Sequence, residues 1–135
     1  MTPFLDAVQQ ELAGQIAAFD HEIAPYAEYA LANQGKQLRA TLTGLAANCG
    51  GGWNDDAVKA AVIIEMVHLA TLLHDDVVDE SDLRRGAATA NAVFGNEASV
   101  LVGDFLFSRS FQLMVEDGSL RVLEILSNAS SVIAE

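Results

Sequence analysis

The sequence predicts an all-α fold, and three observations carry that expectation. Apolar residues recur every three or four positions through most of the chain. No run alternates apolar and polar residues for long enough to build a strand. Backbone breakers are few, two prolines and ten glycines, and most glycines stand at joints between the periodic segments.

A first helix is expected over residues 3–19. Pro3 suits its first turn, and Leu5, Val8, Leu12, Ile16 and Phe19 return at helical spacing. A short second helix, 23–31, breaks at Asn33-Gln34-Gly35, and a third, 36–48, stops at Gly50-Gly51-Gly52. Asn54 or Asp55 caps a fourth helix over 56–79. Between Ala60 and Leu73 nearly every face of that helix is apolar, so it belongs at the centre of the fold. Residues 80–89 read as a polar loop. A further helix over 97–115 carries Leu101, Phe105, Phe107, Phe111 and Met114. The last helix begins at Ser119 and meets no stop signal, so the chain is expected to be part of a larger helical domain.

Composition narrows the function. The 135 residues suffice for one modest domain, and a chain that is 51% hydrophobic and 19% charged is not disordered. Acidic residues outnumber basic ones 19 to 7, which argues against nucleic acid, whose phosphates need Lys and Arg stripes. No window holds the roughly 18 uninterrupted apolar residues of a membrane span. The first dozen residues carry Asp6 and Glu11 without a basic residue, so no secretory signal is expected. Cys49 is the single cysteine; it excludes an intrachain disulfide, fits a reducing cytoplasm, and is expected to be a buried, inert thiol.

The informative segment runs from His68 through His74-Asp75-Asp76 to Asp79. At about 100° per residue, Asp75 and Asp79 fall about 40° apart on one helical face, and His68 about 20° from Asp75. Asp76 lies on the neighbouring strip, so three carboxylates and an imidazole are expected to point roughly one way. Like charges four residues apart repel, and negative charge near a helix C-terminus opposes the macrodipole. A cation removes that conflict. An oxygen-only donor set selects a hard ion, and Mg²⁺ characteristically takes one or two carboxylates, keeps waters and binds substrate phosphate. A solvated acidic helix end is the bland alternative; the strongly apolar flanks favour a site.

Basic residues complete the pattern. Lys36 and Arg39, three apart at a helix start after Gly35, are able to face one anion. Arg84 and Arg85 follow the acidic cluster on a loop that can fold back over it, and a guanidinium matches phosphate oxygens bidentately. Either pair alone reads as solvated surface. Two pairs flanking a carboxylate cluster read as a site for two phosphorylated groups, one held through metal and one through cations.

These segments resemble the trans-type polyprenyl diphosphate synthases. Residues 72–86, LLHDDVVDESDLRRG, look like their first aspartate-rich motif, DDxxD, followed by its arginine pair; GKQLRA, 35–40, looks like their GKxxRP motif. Residues 89–111 are similar to the helix that follows. The resemblance implies an all-helical isoprenoid-synthase bundle around a central cavity, of which this chain carries only the N-terminal portion. It implies Mg²⁺, a homodimer, and head-to-tail condensation of isopentenyl diphosphate with an allylic diphosphate. On this analogy Asp75, Asp76 and Asp79 hold Mg²⁺ against the allylic diphosphate, which Arg84 also contacts. Lys36, Arg39, His68 and Arg85 bind isopentenyl diphosphate. The metal and arginines neutralise a departing diphosphate, and the adjacent alkene attacks the carbocation before water does.

Departures are visible. Gln34 and Ala40 stand where the family has Gly and Pro, which alters a turn rather than a ligand. No second aspartate-rich motif follows Phe111; Glu116-Asp117 reads as a turn or cap. The chain is therefore expected to be inactive alone. Ala70 and Thr71 occupy the positions where the family restricts its cavity, and such small side chains imply a medium-to-long all-trans product. A non-catalytic partner subunit, a terpene cyclase and a helical interaction module are the alternatives. The intact aspartate motif, the residues for a second substrate, and the matching motif order count against them in turn. Phe105 stands open between tunnel floor and core packing, His74 between support of the site and helix surface. Asp104 is expected to pair within the fold.

Overall fold

The computed structural model describes residues 2–19, 21–32, 37–80, 83–84 and 87–134. Among the described residues seven helices follow one another: α1 (Thr2–Ala17), α2 (Ala24–Ala32), α3 (Leu38–Cys49), α4 (Asp55–Val78), α5 (Ala90–Phe94), α6 (Asn96–Asp117) and α7 (Leu120–Ala134). Between α4 and α5, β1 (Leu83–Arg84) pairs antiparallel with β2 (Ala87–Ala88). The fold is all-α, with this small hairpin as its one extended feature among the described residues.

Helix α4 is the axis, as its apolar circumference requires. Ala61, Val62 and Ile63 are buried in succession, as are Glu65, Met66 and Val67, and three consecutive residues face well over half a helix. On one side α4 packs with Phe4, Val8, Leu12 and Ile16 of α1, Ala27 of α2, Ala40 of α3, and Val102 and Leu106 of α6. On the other, Ile63 and Val67 meet Met114 of α6 and the partly buried Leu123 and Leu126 of α7. By length and composition α4 and α6 would suit a bilayer, but more than half of the apolar window in α4 is buried against protein.

Local signals set the ends. The Asn54 side chain accepts a 3.0 Å hydrogen bond from the Ala57 N–H, and Asp55 and Asp56 in the first turn suit the positive end of the dipole. Gly118, at φ 78°, ends α6 in the left-handed conformation that glycine tolerates best. One expectation needs correction, and two details of α5 and α6 go beyond what the sequence predicts. Cys49 is exposed rather than buried, because α3 turns Ala40 and Gly44 inward and Cys49 lies nine residues beyond Ala40, half a turn away. Leu101 is 61% exposed, since α6 meets α4 through Ser99, Val102, Gly103, Leu106, Ser110 and Met114 instead. Helix α5 falls directly after the segment read as loop; it is a single capped turn, with Thr89 Oγ1 accepting from the Ala92 N–H at 3.3 Å.

Leu106 is fully buried between α4 and α6. Leu106→Ala is expected to destabilise the chain by about 3 kcal/mol in urea unfolding, through lost burial and a residual cavity. A loss below about 1 kcal/mol would contradict this packing.

Candidate functional site

The partly exposed strip of α4 runs through Ile64, His68, Thr71 and Leu72 to Asp75 and Asp79. The two aspartates are exposed, one helical turn apart, at the end of a strip that mixes the apolar Ile64 and Leu72 with His68 and Thr71. Among the described residues neither side-chain carboxylate has a hydrogen-bond or ion-pair partner. Asp76 is different. It is 5% exposed and continues the buried strip of Leu69 and Leu73, so the periodicity that joins three carboxylates leaves only two on the open face.

Among the described residues, no three His, Cys, Asp or Glu side chains converge into a metal cage. Two open carboxylates a turn apart still suit a hard divalent ion. Mg²⁺ is typically held by one or two carboxylates, completing its octahedron with waters and substrate phosphate. The donor set therefore fits an ion shared with a ligand, not one sealed inside protein.

The chain turns sharply just beyond the cluster. The Asp79 N–H donates to the Asp75 carbonyl at 2.8 Å, and Glu80, at φ 54°, occupies the left-handed region. Among the described residues only Gln37, at φ 56°, is another non-glycine residue with positive φ. Glu80 follows the last aspartate, and Gln37 precedes α3, between Lys36 and Arg39. Strain of this kind concentrates where a chain is held for function. Beyond Glu80, the hairpin sets Arg84 opposite Ala87. It is tied to α2 by the Tyr29 hydroxyl, which donates to the Ala88 carbonyl.

Of the residues singled out from sequence, His68, Thr71, Asp75 and Asp79 share the open strip. Thr71 Oγ1 donates to the His68 carbonyl at 2.7 Å. Ala70 is fully buried, on the side of α4 that meets α6. Arg39 is exposed in the first turn of α3, which packs on α4. Lys36 and Arg85 lie outside the described residues, and Arg84 is described by its backbone. Phe105 is half-buried and packs edge-on against Phe19, with ring centroids 4.7 Å apart. Glu116 belongs to α6 and pairs with Arg109 at 3.3 Å.

His74, whose role the sequence does not decide, has partners in the fold. Its Nε2 lies 3.1 Å from the Val100 carbonyl and 3.2 Å from Asp104 Oδ1. Asp104 is thus paired within the fold, although 63% of its side chain stays exposed.

Comparison with known proteins agrees with this architecture. The profile of the polyprenyl synthetase family matches residues 20–135. Octaprenyl diphosphate synthase of Escherichia coli (strain K12) is 57% identical over 107 residues, 79% of this chain and 33% of that protein. Among solved structures, a decaprenyl diphosphate synthase from Rhodobacter capsulatus superimposes with a TM-score of 0.90 at 46% identity, over 98% of this chain and 41% of that one. A polyprenyl synthase from Caulobacter crescentus CB15, complexed with calcium and isoprenyl diphosphate, gives 0.89 at 48% identity, over 98% and 40%. The chain therefore spans between 33% and 41% of the length of these relatives.

The unpartnered pair sets a clear expectation for stability. In metal-free, low-salt buffer the double variant Asp75→Asn/Asp79→Asn should be more stable than the wild type by about 0.5 kcal/mol, as repulsion and dipole conflict are relieved. Millimolar Mg²⁺ should raise the wild-type melting temperature more than the variant's. Equal responses of the two proteins to Mg²⁺ would contradict the assignment.

Proposed function

The chain belongs to the polyprenyl synthetase family, and from that premise we propose that it supplies the allylic-diphosphate side of a prenyltransferase. The reaction is condensation of isopentenyl diphosphate with an allylic diphosphate to a medium-to-long all-trans polyprenyl diphosphate. One observation carries this reading. Two exposed carboxylates without partners among the described residues end a partly exposed strip carrying Ile64 and Leu72, an arrangement that suits a metal-bound diphosphate and its hydrocarbon tail. Two relatives, an octaprenyl and a decaprenyl diphosphate synthase, support the length class. A divalent cation and isoprenyl diphosphate together in the Caulobacter enzyme support the ligand class.

On this reading Asp75 and Asp79 hold Mg²⁺ against the allylic diphosphate, with Asp76 supporting them from the buried side. Mg²⁺, when bound, stabilises the charge that develops on the leaving diphosphate. Arg84 contacts the same diphosphate. Lys36, Arg39, His68 and Arg85 bind isopentenyl diphosphate and fix its alkene beside the allylic carbon. Ile64, Thr71 and Leu72 line the path of the prenyl chain and keep water from the cation. The allylic C–O bond breaks, a C–C bond forms to the alkene, and the proton lost from the adduct passes to the released diphosphate. Thr71, small and on the open strip, leaves the path open to long products, with the small Ala70 behind it against α6.

The chain acts as the N-terminal portion of a synthase domain, and the 135 residues alone are inactive. The complete enzyme is a cytoplasmic homodimer. Exposed Leu101, Val115 and Leu120 supply apolar surface that further helices or a second copy would cover.

The test joins this chain to the remaining part of the Escherichia coli relative and assays prenyl transfer with Mg²⁺. The fusion should be active and the 135 residues alone should not. Asp75→Ala/Asp79→Ala should lower the fusion's rate by about 10²- to 10³-fold. Ala70→Phe, or Thr71→Phe if burial at position 70 prevents folding, should shorten the product. A normal rate without both aspartates, or transfer by the isolated chain, would overturn the reading.

A further inference from the structure

We propose that His74 is a positioning residue, seated in a notch at Gly103 of α6, that sets the direction in which the last turn of α4 presents Asp75 and Asp79. The inference rests on the reading of those aspartates as the metal-holding pair. The burial that holds that turn thins out beyond Asp76. Leu73 and Asp76 are its last buried residues, Val77 is half-buried, and Val78, Asp79 and Glu80 are exposed. His74 provides a lateral tie. Both groups facing Nε2, the Val100 carbonyl at 3.1 Å and Asp104 Oδ1 at 3.2 Å, are acceptors, so Nε2 carries the hydrogen and shares it between them.

Glycine makes the seat possible. A Cβ at position 103 would stand 2.4 Å from His74 Nε2, 2.6 Å from its Cδ2 and 3.3 Å from the Ala70 carbonyl. Any side chain there drives the ring out or pushes the two helices apart. Glycine is among the poorest residues for a helix interior, yet it stands in the first half of a helix spanning Asn96–Asp117. Its value lies in the approach of the ring to the α6 backbone. His74 and Asp75 are consecutive, so fixing the ring fixes the rotation of that turn and hence the aim of both carboxylates. Metal affinity is sensitive to such supporting contacts, typically by 10- to 100-fold.

The experiment is a calorimetric titration of inorganic diphosphate into the 135-residue chain at stepped Mg²⁺ concentrations, with far-UV circular dichroism of each variant as the folding control. The wild type should bind with a defined Mg²⁺ midpoint, and Asp75→Ala/Asp79→Ala should abolish it. His74→Ala should raise the midpoint about 10-fold. His74→Gln, whose amide N–H reaches the same acceptors, should restore it to within about 2-fold. Gly103→Ala improves helix propensity and on that ground alone would be harmless; it should raise the midpoint as His74→Ala does, and add little in the double variant. A wild-type midpoint in His74→Ala, failure of His74→Gln to restore it, or full additivity with Gly103→Ala would overturn the inference. If the double aspartate variant titrates like the wild type, or the wild type shows no Mg²⁺-dependent binding, the reading of the metal pair has failed instead.

Discussion

The structure depends on the burial of α4. A helix ending in Asp75, Asp76 and Asp79 places like charges beside one another at the negative end of its own dipole, and each term opposes helix formation there. What holds it is the body of the helix, whose Ala61 to Ala70 stretch is almost wholly enclosed by α1, α2, α3, α6 and α7. Burying one Leu, Ile or Met side chain contributes about 1.5–3 kcal/mol, several times the repulsion between two solvated carboxylates. The acidic turn is carried by the apolar one behind it.

That enclosure also decides what each aspartate faces. The buried strip of Leu69 and Leu73 leads to Asp76, while the open strip of His68 and Leu72 leads to Asp75 and Asp79. Small residues on α6, Ser99, Gly103 and Ser110, sit on the face turned to α4, and Gly103 brings its backbone against Ala70 and His74. The wall that positions the acidic turn is therefore the same surface that packs the core. Motion of α6 would be felt at the aspartates directly.

Much of this was legible in the sequence, and the reasons are physical. The central helix announced itself because a run apolar on every side has no alternative to burial, and its cap at Asn54 follows from side-chain chemistry alone. The acidic and basic motifs were legible as a resemblance, since their spacing reflects helical periodicity and a fixed order of phosphate contacts. Tertiary information was not. Nothing local to Asp76 marks its strip as the inner one, and Cys49 read as buried because its type usually is. Nothing in the sequence marks Ser99, Gly103 and Ser110, interleaved with Val102, Leu106 and Met114, as the α6 face that meets α4, because there closeness matters as much as hydrophobicity. His74 and Gly103 lie 29 positions apart, so their contact appears only when α4 and α6 are set side by side. Tyr29 and Ala88, farther apart still, tie the hairpin by the same kind of long-range bond.

The central claim is that the exposed aspartates closing α4 gather a divalent ion and a diphosphate. Paramagnetic broadening of backbone amide signals by Mn²⁺, a spectroscopic stand-in for Mg²⁺, tests it most directly in a chain of formal charge −12, where diffuse ion binding is the obvious rival. With inorganic diphosphate present, amides from Asp75 to Glu80 should lose intensity at the lowest Mn²⁺ concentration, before those around Asp55-Asp56 or Glu116-Asp117. Uniform broadening at all three acidic segments would mean that no site exists at the end of α4.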